Sequence, residues 1–148
     1  MLATTALAYK VLRAWETNDT DTLAACLSQN FVGRKLLPQE IDKDQFLDYT
    51  RAILRAFPDW SFQARFLNEH PVRSYDTAVQ FITQIAATHS GDLALPEIPV
   101  IPPTGTKITL PAHHLDLVIH EGIIREMGSD FSPDSLTEIL AQLGMELL

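Results

Sequence analysis

The chain is poor in the features that announce a partner or a cofactor. A single cysteine, Cys26, stands among its 148 residues, so no internal disulfide can form and a reducing, cytoplasmic setting is expected. Cys26 lies in the apolar run "LAACL", the setting of a small core residue rather than a nucleophile. Basic residues are also scarce: 11 Lys and Arg face 19 Asp and Glu, a net charge of −8. That balance argues against nucleic acid or an anionic membrane as a partner. No apolar run reaches the length of a bilayer span. The N-terminal "MLATTALAYKVLRAW" lacks a basic start and reads as a helix, not a secretory leader. The 6 glycines compose neither a phosphate loop nor a dinucleotide fingerprint, and no zinc-protease motif occurs. His113 and His114 are adjacent, so on a strand they face opposite ways and make a poor metal pair. Neither a metal nor an organic cofactor is expected.

What is present fits one folded domain spanning residues 1–148. Hydrophobic residues make up 46% and charged residues 20% of the chain, the balance of a globular core rather than a disordered segment. Thr4 or Thr5 is expected to cap a first helix that buries Leu7, Val11 and Trp15. Asp19 or Thr20 would cap a second through Leu23 and Leu27, and "FVGRKLLP" reads as a short strand. Asp42 and Gln45 resemble a capping box for a third helix carrying Phe46, Tyr49, Ile53 and Phe57, which Pro58 ends.

Beyond Pro58 the period changes from helical to alternating. Trp60, Phe62, Ala64 and Phe66 mark a strand, and His70–Asp76 supplies turn residues. A long strand over "TAVQFITQIAATH" puts Val79, Phe81, Thr83, Ile85, Ala87 and His89 on one face, with Gln80 and Gln84 on the other. The proline-rich stretch from Ser90 to Gly105 reads as an excursion loop. A hairpin through His120-Glu121-Gly122 follows. Ser132 and Pro133 then open a last helix on Leu136, Ile139, Leu140 and Leu143. Helices, then antiparallel strands, then one helix indicate an α+β fold.

Alternation also sorts the hairpin. Its apolar face carries His113, Leu115, Leu117 and Ile119 and should meet the helices. His114, Asp116 and His120 fall on a more polar face. His113 and His89 could then approach one cavity, and Arg125, Glu126 and Asp130 sit on the hairpin's return strand. A histidine with an acid opposite it can support proton transfer. The outer face of the long strands, with Gln80, Gln84, His114 and Asp116, has few charges, so a homodimer or larger closed oligomer is expected to cover it.

Several stretches resemble the SnoaL-like polyketide cyclases, a branch of the NTF2-like superfamily with many members called ester cyclases. These are "WETNDTDTLAACLSQNFV", "AFPDWSF", "ATHSG", "PPTGTKITL" and "HEGIIREMGSDFSPDSLTEILAQLGM". The resemblance implies a cone-shaped α+β barrel, with a curved, mostly antiparallel sheet wrapped around N-terminal helices and closed by a C-terminal helix. It implies a pocket for a small apolar or carbonyl-bearing ligand, which Trp15, Tyr49, Phe57, Trp60, Phe81, Ile85, His89, Leu115 and Leu117 would line. It further implies cofactor-free acid/base chemistry of the aldol-cyclisation type, with Asp130 as the base and His113, or its neighbour His114, assisting. Gly128 stands where family members have an aromatic residue, and a bulge there would set Asp130 into the site. A carrier with the same pocket and no chemistry is the alternative.

Overall fold

The computed structural model describes residues 2–73, 75–96 and 98–145. Three helices come first: α1 (Ala3–Glu16), α2 (Thr20–Cys26) and, after strand β1 (Leu27–Arg34), α3 (Lys43–Ala56). Strands β2 (Arg65–Val72), β3 (Asp76–Thr83), β4 (Ala86–Thr88), β5 (Lys107–Thr109), β6 (His113–His120) and β7 (Ile123–Ser129) follow, and α4 (Ser135–Gln142) closes the chain. The α+β expectation holds. Five strands form one sheet in the order β1-β7-β6-β3-β2, antiparallel except for the parallel β1–β7 pair, and β4 with β5 forms a second small sheet.

Local chemistry explains most element ends. The Asp42 carboxylate accepts the Gln45 backbone N–H at 2.9 Å, and the Gln45 side chain accepts that of Asp42 at 2.9 Å, the reciprocal cap that starts α3. Asp19 caps α2 by accepting from Thr22. Several expected boundaries move, and Leu27, expected in the second helix, instead begins β1. α1 begins after Leu2 with no side-chain cap, so Thr4 and Thr5 lie inside it. α4 is capped not by Ser132 but by Asp134, whose carboxylate takes both the N–H and the hydroxyl of Thr137 at 2.9 Å. The strand expected from Trp60 starts only at Arg65, because Gln63 adopts a positive φ of 46° and the Glu16 carboxylate claims the Phe62 N–H at 2.8 Å. β2 then runs on through Pro71, leaving the turn to 73–75, of which Ser74 lies outside the described residues. Pro71 is tolerated because β2 is an edge strand.

The two long strands read from the sequence are each interrupted. The β3–β6 ladder ends at Thr83 opposite His113 and resumes as β4–β5 at Ala86 opposite Thr109. Pro111 has no N–H to offer the ladder, and the Gln84 N–H turns away to the Phe62 carbonyl at 3.0 Å. The sheet bends at this break. Its concave side carries Val79, Phe81, Leu115, Leu117, Ile119 and Met127, all buried with the apolar faces of α1 and α3. Register confirms the sorting of faces: Val79 pairs with Leu117, Phe81 with Leu115 and Thr83 with His113.

The excursion after β4 is ordered. His89 and Thr106, then Gly105 and His89, exchange backbone bonds at 2.9 Å, and Leu93 and Ile101 bridge farther out at 2.9 and 3.0 Å. Its base lies against the end of α3, where Ser90 and Gly91 donate to the Ala56 carbonyl at 3.0 and 3.1 Å. A Cβ at Gly91 would come within 2.1 Å of the Arg55 carbonyl oxygen, so only glycine permits this approach.

Candidate functional site

The helices and the first turn after α3 send aromatic rings into the interior between α1, α3 and the bend. Trp15 of α1 stacks on Trp60 with ring centres 6.0 Å apart, and meets Phe62 at 5.1 Å, Phe46 at 5.5 Å and Tyr49 at 6.1 Å. Phe57 joins Trp60 at 6.0 Å to His89 at 5.2 Å. Trp15, Tyr49, Phe57, Trp60, Phe81, Ile85, His89, Leu115 and Leu117 are all buried.

The polar atoms of this cluster are distinctive. Trp15 Nε1, Trp60 Nε1 and His89 Nε2 are buried without a hydrogen-bond partner. An unmet buried donor costs roughly 1–3 kcal/mol, so three together are not incidental to stability. The His89 ring is fixed from its other side. Its Nδ1 lies 2.9 Å from the Thr104 hydroxyl and receives the Thr104 backbone N–H at 3.3 Å. The two indole N–H groups can only donate.

Tyr49, which meets Trp15, also lines a pocket of about 410 Å³ together with Leu37, Ile41, Ala52 and the excursion's Ala94, Leu95 and Pro96, with Gln45 and Asp48 on its wall. Burial, with a smaller push from the charge of Asp134, drives the Tyr49 phenol pKa upward, so the hydroxyl keeps its proton.

The strand ends are built differently. His113 is buried on the concave face, with Nε2 3.0 Å from the Thr83 hydroxyl, Nδ1 3.2 Å from the Pro111 carbonyl and its ring 3.8 Å from that of Phe131. Burial pushes its pKa down, against the Pro111 carbonyl and the charge of Asp130, and favours the neutral ring. Asp130 is placed otherwise than expected. The β6–β7 register is regular at Gly128, opposite Asp116, and slips instead between Val118 and Ile119. Ser129 therefore takes the inward place opposite Leu115, with its hydroxyl donating to the Lys35 carbonyl at 2.8 Å. Asp130 turns outward to His114, accepting the His114 N–H at 2.9 Å and lying 2.7 Å from its Nδ1. Its side chain is 50% exposed. Burial raises the carboxyl pKa, but the His114 bonds and the neighbouring imidazoles outweigh this and hold it below the usual range. A carboxyl raised among aromatic rings is thus not what the chain builds at Asp130. His89 and His113 also part company, one held by Thr104 against Phe57 and the other by Thr83 against Phe131.

Of the other ionisable hairpin residues, Asp116 keeps a buried Oδ1 without a partner, while Glu126, His120 and Arg125 are paired, the last two with the buried Asp76. Glu126 binds Arg73 at 2.9 Å and Arg34 at 3.2 Å, and Asp76 lies 2.6 Å from His120 Nδ1 and 3.6 Å from Arg125. Among the described residues no cluster of His, Cys, Asp and Glu could hold a metal, and no helix is long and apolar enough to cross a membrane. The unmet donors escaped the sequence reading because tryptophan signals burial and carries no sign of whether its N–H finds an acceptor.

Comparison with known proteins places this geometry. The SnoaL-like domain family matches residues 8–127. A proposed polyketide cyclase from Xanthomonas campestris pv. campestris superposes with a TM-score of 0.66 at 13% identity, over 95% of this chain and 96% of that one. AclR, a proposed hydroxylase from Streptomyces galilaeus, gives 0.65 at 20% identity, over 95% and 80%. A Catenulispora acidiphila protein of ketosteroid isomerase-like fold, in complex with trimethylamine, gives 0.61 at 11% identity, over 94% and 92%. At such identities the likeness is one of fold. No curated protein matches the chain.

Proposed function

The chain belongs to the SnoaL-like family, and on that premise we propose that it binds a small, largely apolar, carbonyl-bearing molecule in its cone. The observation that carries this reading is a pocket of about 410 Å³ lined by Tyr49, whose ring also packs on Trp15 of the aromatic interior. Pockets of roughly 300–1,000 Å³ suit drug-sized or smaller molecules, so one or two fused rings fit. Calorimetric titration with bicyclic ketones tests it. Binding that Ala52→Trp abolishes, by filling the pocket wall, is the expected result; no heat with any ketone would overturn it.

A second reading, cofactor-free acid/base catalysis such as aldol cyclisation, is supported by one observation: a carboxylate, Asp130, lies close enough to His113 for their charges to interact. Asp130 would leave His114 and take a proton α to the substrate carbonyl, with the neutral His113 ring beside it. Asp130→Asn should then cut turnover about a hundredfold or more with ligand affinity kept. Unchanged turnover leaves the binding reading alone.

We also propose that the outer sheet face, with Gln80 and Asp116 paired across β3 and β6, meets a second copy. Light scattering at high concentration should report a dimer, and a monomer would refute it.

A further inference from the structure

We propose that a pocket at the break in the sheet is a second ligand site, for a small carboxylate with an apolar body, and that Arg65 supplies its counter-charge. The site shares no residue with the pocket beside Tyr49 and stands apart from the reading of that pocket.

Where the β3–β6 ladder stops at Thr83, the chain leaves a pocket of about 330 Å³ lined by Gln63, Arg65, Ile82, Thr83, Gln84 and Ala112. That volume suits a small molecule. Its wall holds no carboxylate, which is unusual in a chain with 19 acidic and 11 basic residues. Other pockets of this chain have Asp48, Glu16, or Asp116 with Glu126 in their walls. Arg34, Arg51, Arg73 and Arg125 each lie against an acid, whereas Arg65 has no ion pair among the described residues. Arg65 stands opposite Ile82 on β3, so the guanidinium and an apolar floor share one face of the sheet. Ile82 in turn stands opposite His114, which already engages the Asp130 carboxylate. The Gln63 and Gln84 side-chain amides bond to no other described group. A positive φ of 46° turns Gln63 out of the β2 ladder and into this wall. The Thr83 hydroxyl is taken by His113 at 3.0 Å. What remains is one free guanidinium, two free amides and the hydrocarbon of Ile82 and Ala112. The planar fork of Arg65 would donate to both oxygens of a carboxylate, and an amide N–H would add to one of them. A phosphate would bring a second charge to a wall with one cation. An amine would meet only a like charge.

Benzoate, benzyl alcohol and inorganic phosphate separate these cases when titrated into the whole chain and followed in a 15N-correlated spectrum. Benzoate should bind about tenfold more tightly than benzyl alcohol, the equivalent of one charge-assisted hydrogen bond, and should move the Gln63 and Gln84 side-chain signals. Arg65→Gln should erase that preference and leave the backbone signals away from the pocket in place. Arg55→Gln, which removes the same charge from an exposed position on α3, should keep it. Ala52→Trp, which fills the pocket beside Tyr49, should leave benzoate binding intact; its loss would assign benzoate to that pocket and overturn the proposal. Equal binding of benzoate and benzyl alcohol, or tighter binding of phosphate than of benzoate, would overturn the carboxylate assignment. Unmoved Gln63 and Gln84 signals with every probe, the outcome if a second copy covers this face, would overturn the site itself.

Discussion

Inside the cone, the indole N–H groups of Trp15 and Trp60 and the Nε2 of His89 have no hydrogen-bond partner among the described residues. At the strand ends, His114 and Asp130 hold each other through two contacts below 3 Å, with the carboxylate half in water. The conspicuous ionisable pair is the one with its bonding already met. The inconspicuous aromatic cluster leaves polar atoms unmet in a buried, low-dielectric place, where each is costly.

The contrast breaks most visibly in stability. Trp15→Ala should cost about 3–5 kcal/mol, because it removes the ring on which Trp60, Phe62, Phe46 and Tyr49 converge; urea unfolding measures this. Asp130→Ala, by contrast, should cost less than about 1 kcal/mol, since an exposed pair contributes little. A larger loss there than at Trp15 would reverse the assignment of the two regions.

Gly91→Ala comes next. The added methyl must displace the Arg55 carbonyl or the loop, and overpacking of this kind costs about 1–3 kcal/mol. It should also weaken ligand binding, because His89 lies two residues away. A thermal melt and a ketone titration on the same variant check both.

Acid provides a smaller perturbation, to which the strand ends contribute through two groups. The folded pKa values of His113 and Asp130 are both depressed. Below its ordinary pKa each group binds protons more readily when unfolded, so each contributes stability at neutral pH that is lost on acidification. The loss should begin as pH falls through the ordinary histidine range, about 6.5, and continue through that of aspartate, about 3.9. His113→Gln should flatten the first part of that profile and leave the second; an unchanged profile would remove His113 as its cause.

The sequence showed the fold well and the site unevenly. Period and caps placed α3 and the concave column of Val79, Phe81, Leu115 and Leu117, because burial repeats at regular spacing. The break at Thr83 and His113 was legible only in part: Pro111 is visible, but the diversion of Gln84 to Phe62 is a long-range bond with no local signal. Asp130 shows the limit most sharply. Its side of the sheet depends on where β7 slips, and the slip lies between Val118 and Ile119 rather than at the glycine that suggested it. A shift of one residue turns a side chain from one face to the other. The His114–Asp130 pairing follows from that register.

The contact between Gly91 and the end of α3 divides the excursion into a base and a tip. Below the Leu93–Ile101 bridge the chain is pinned to a helix and holds His89. Above the bridge, Ala94, Leu95 and Pro96 form part of the pocket wall. The tip is thus a replaceable cassette on a fixed mount. Exchanging its residues would reshape the pocket wall, while the base would hold His89 in the same place.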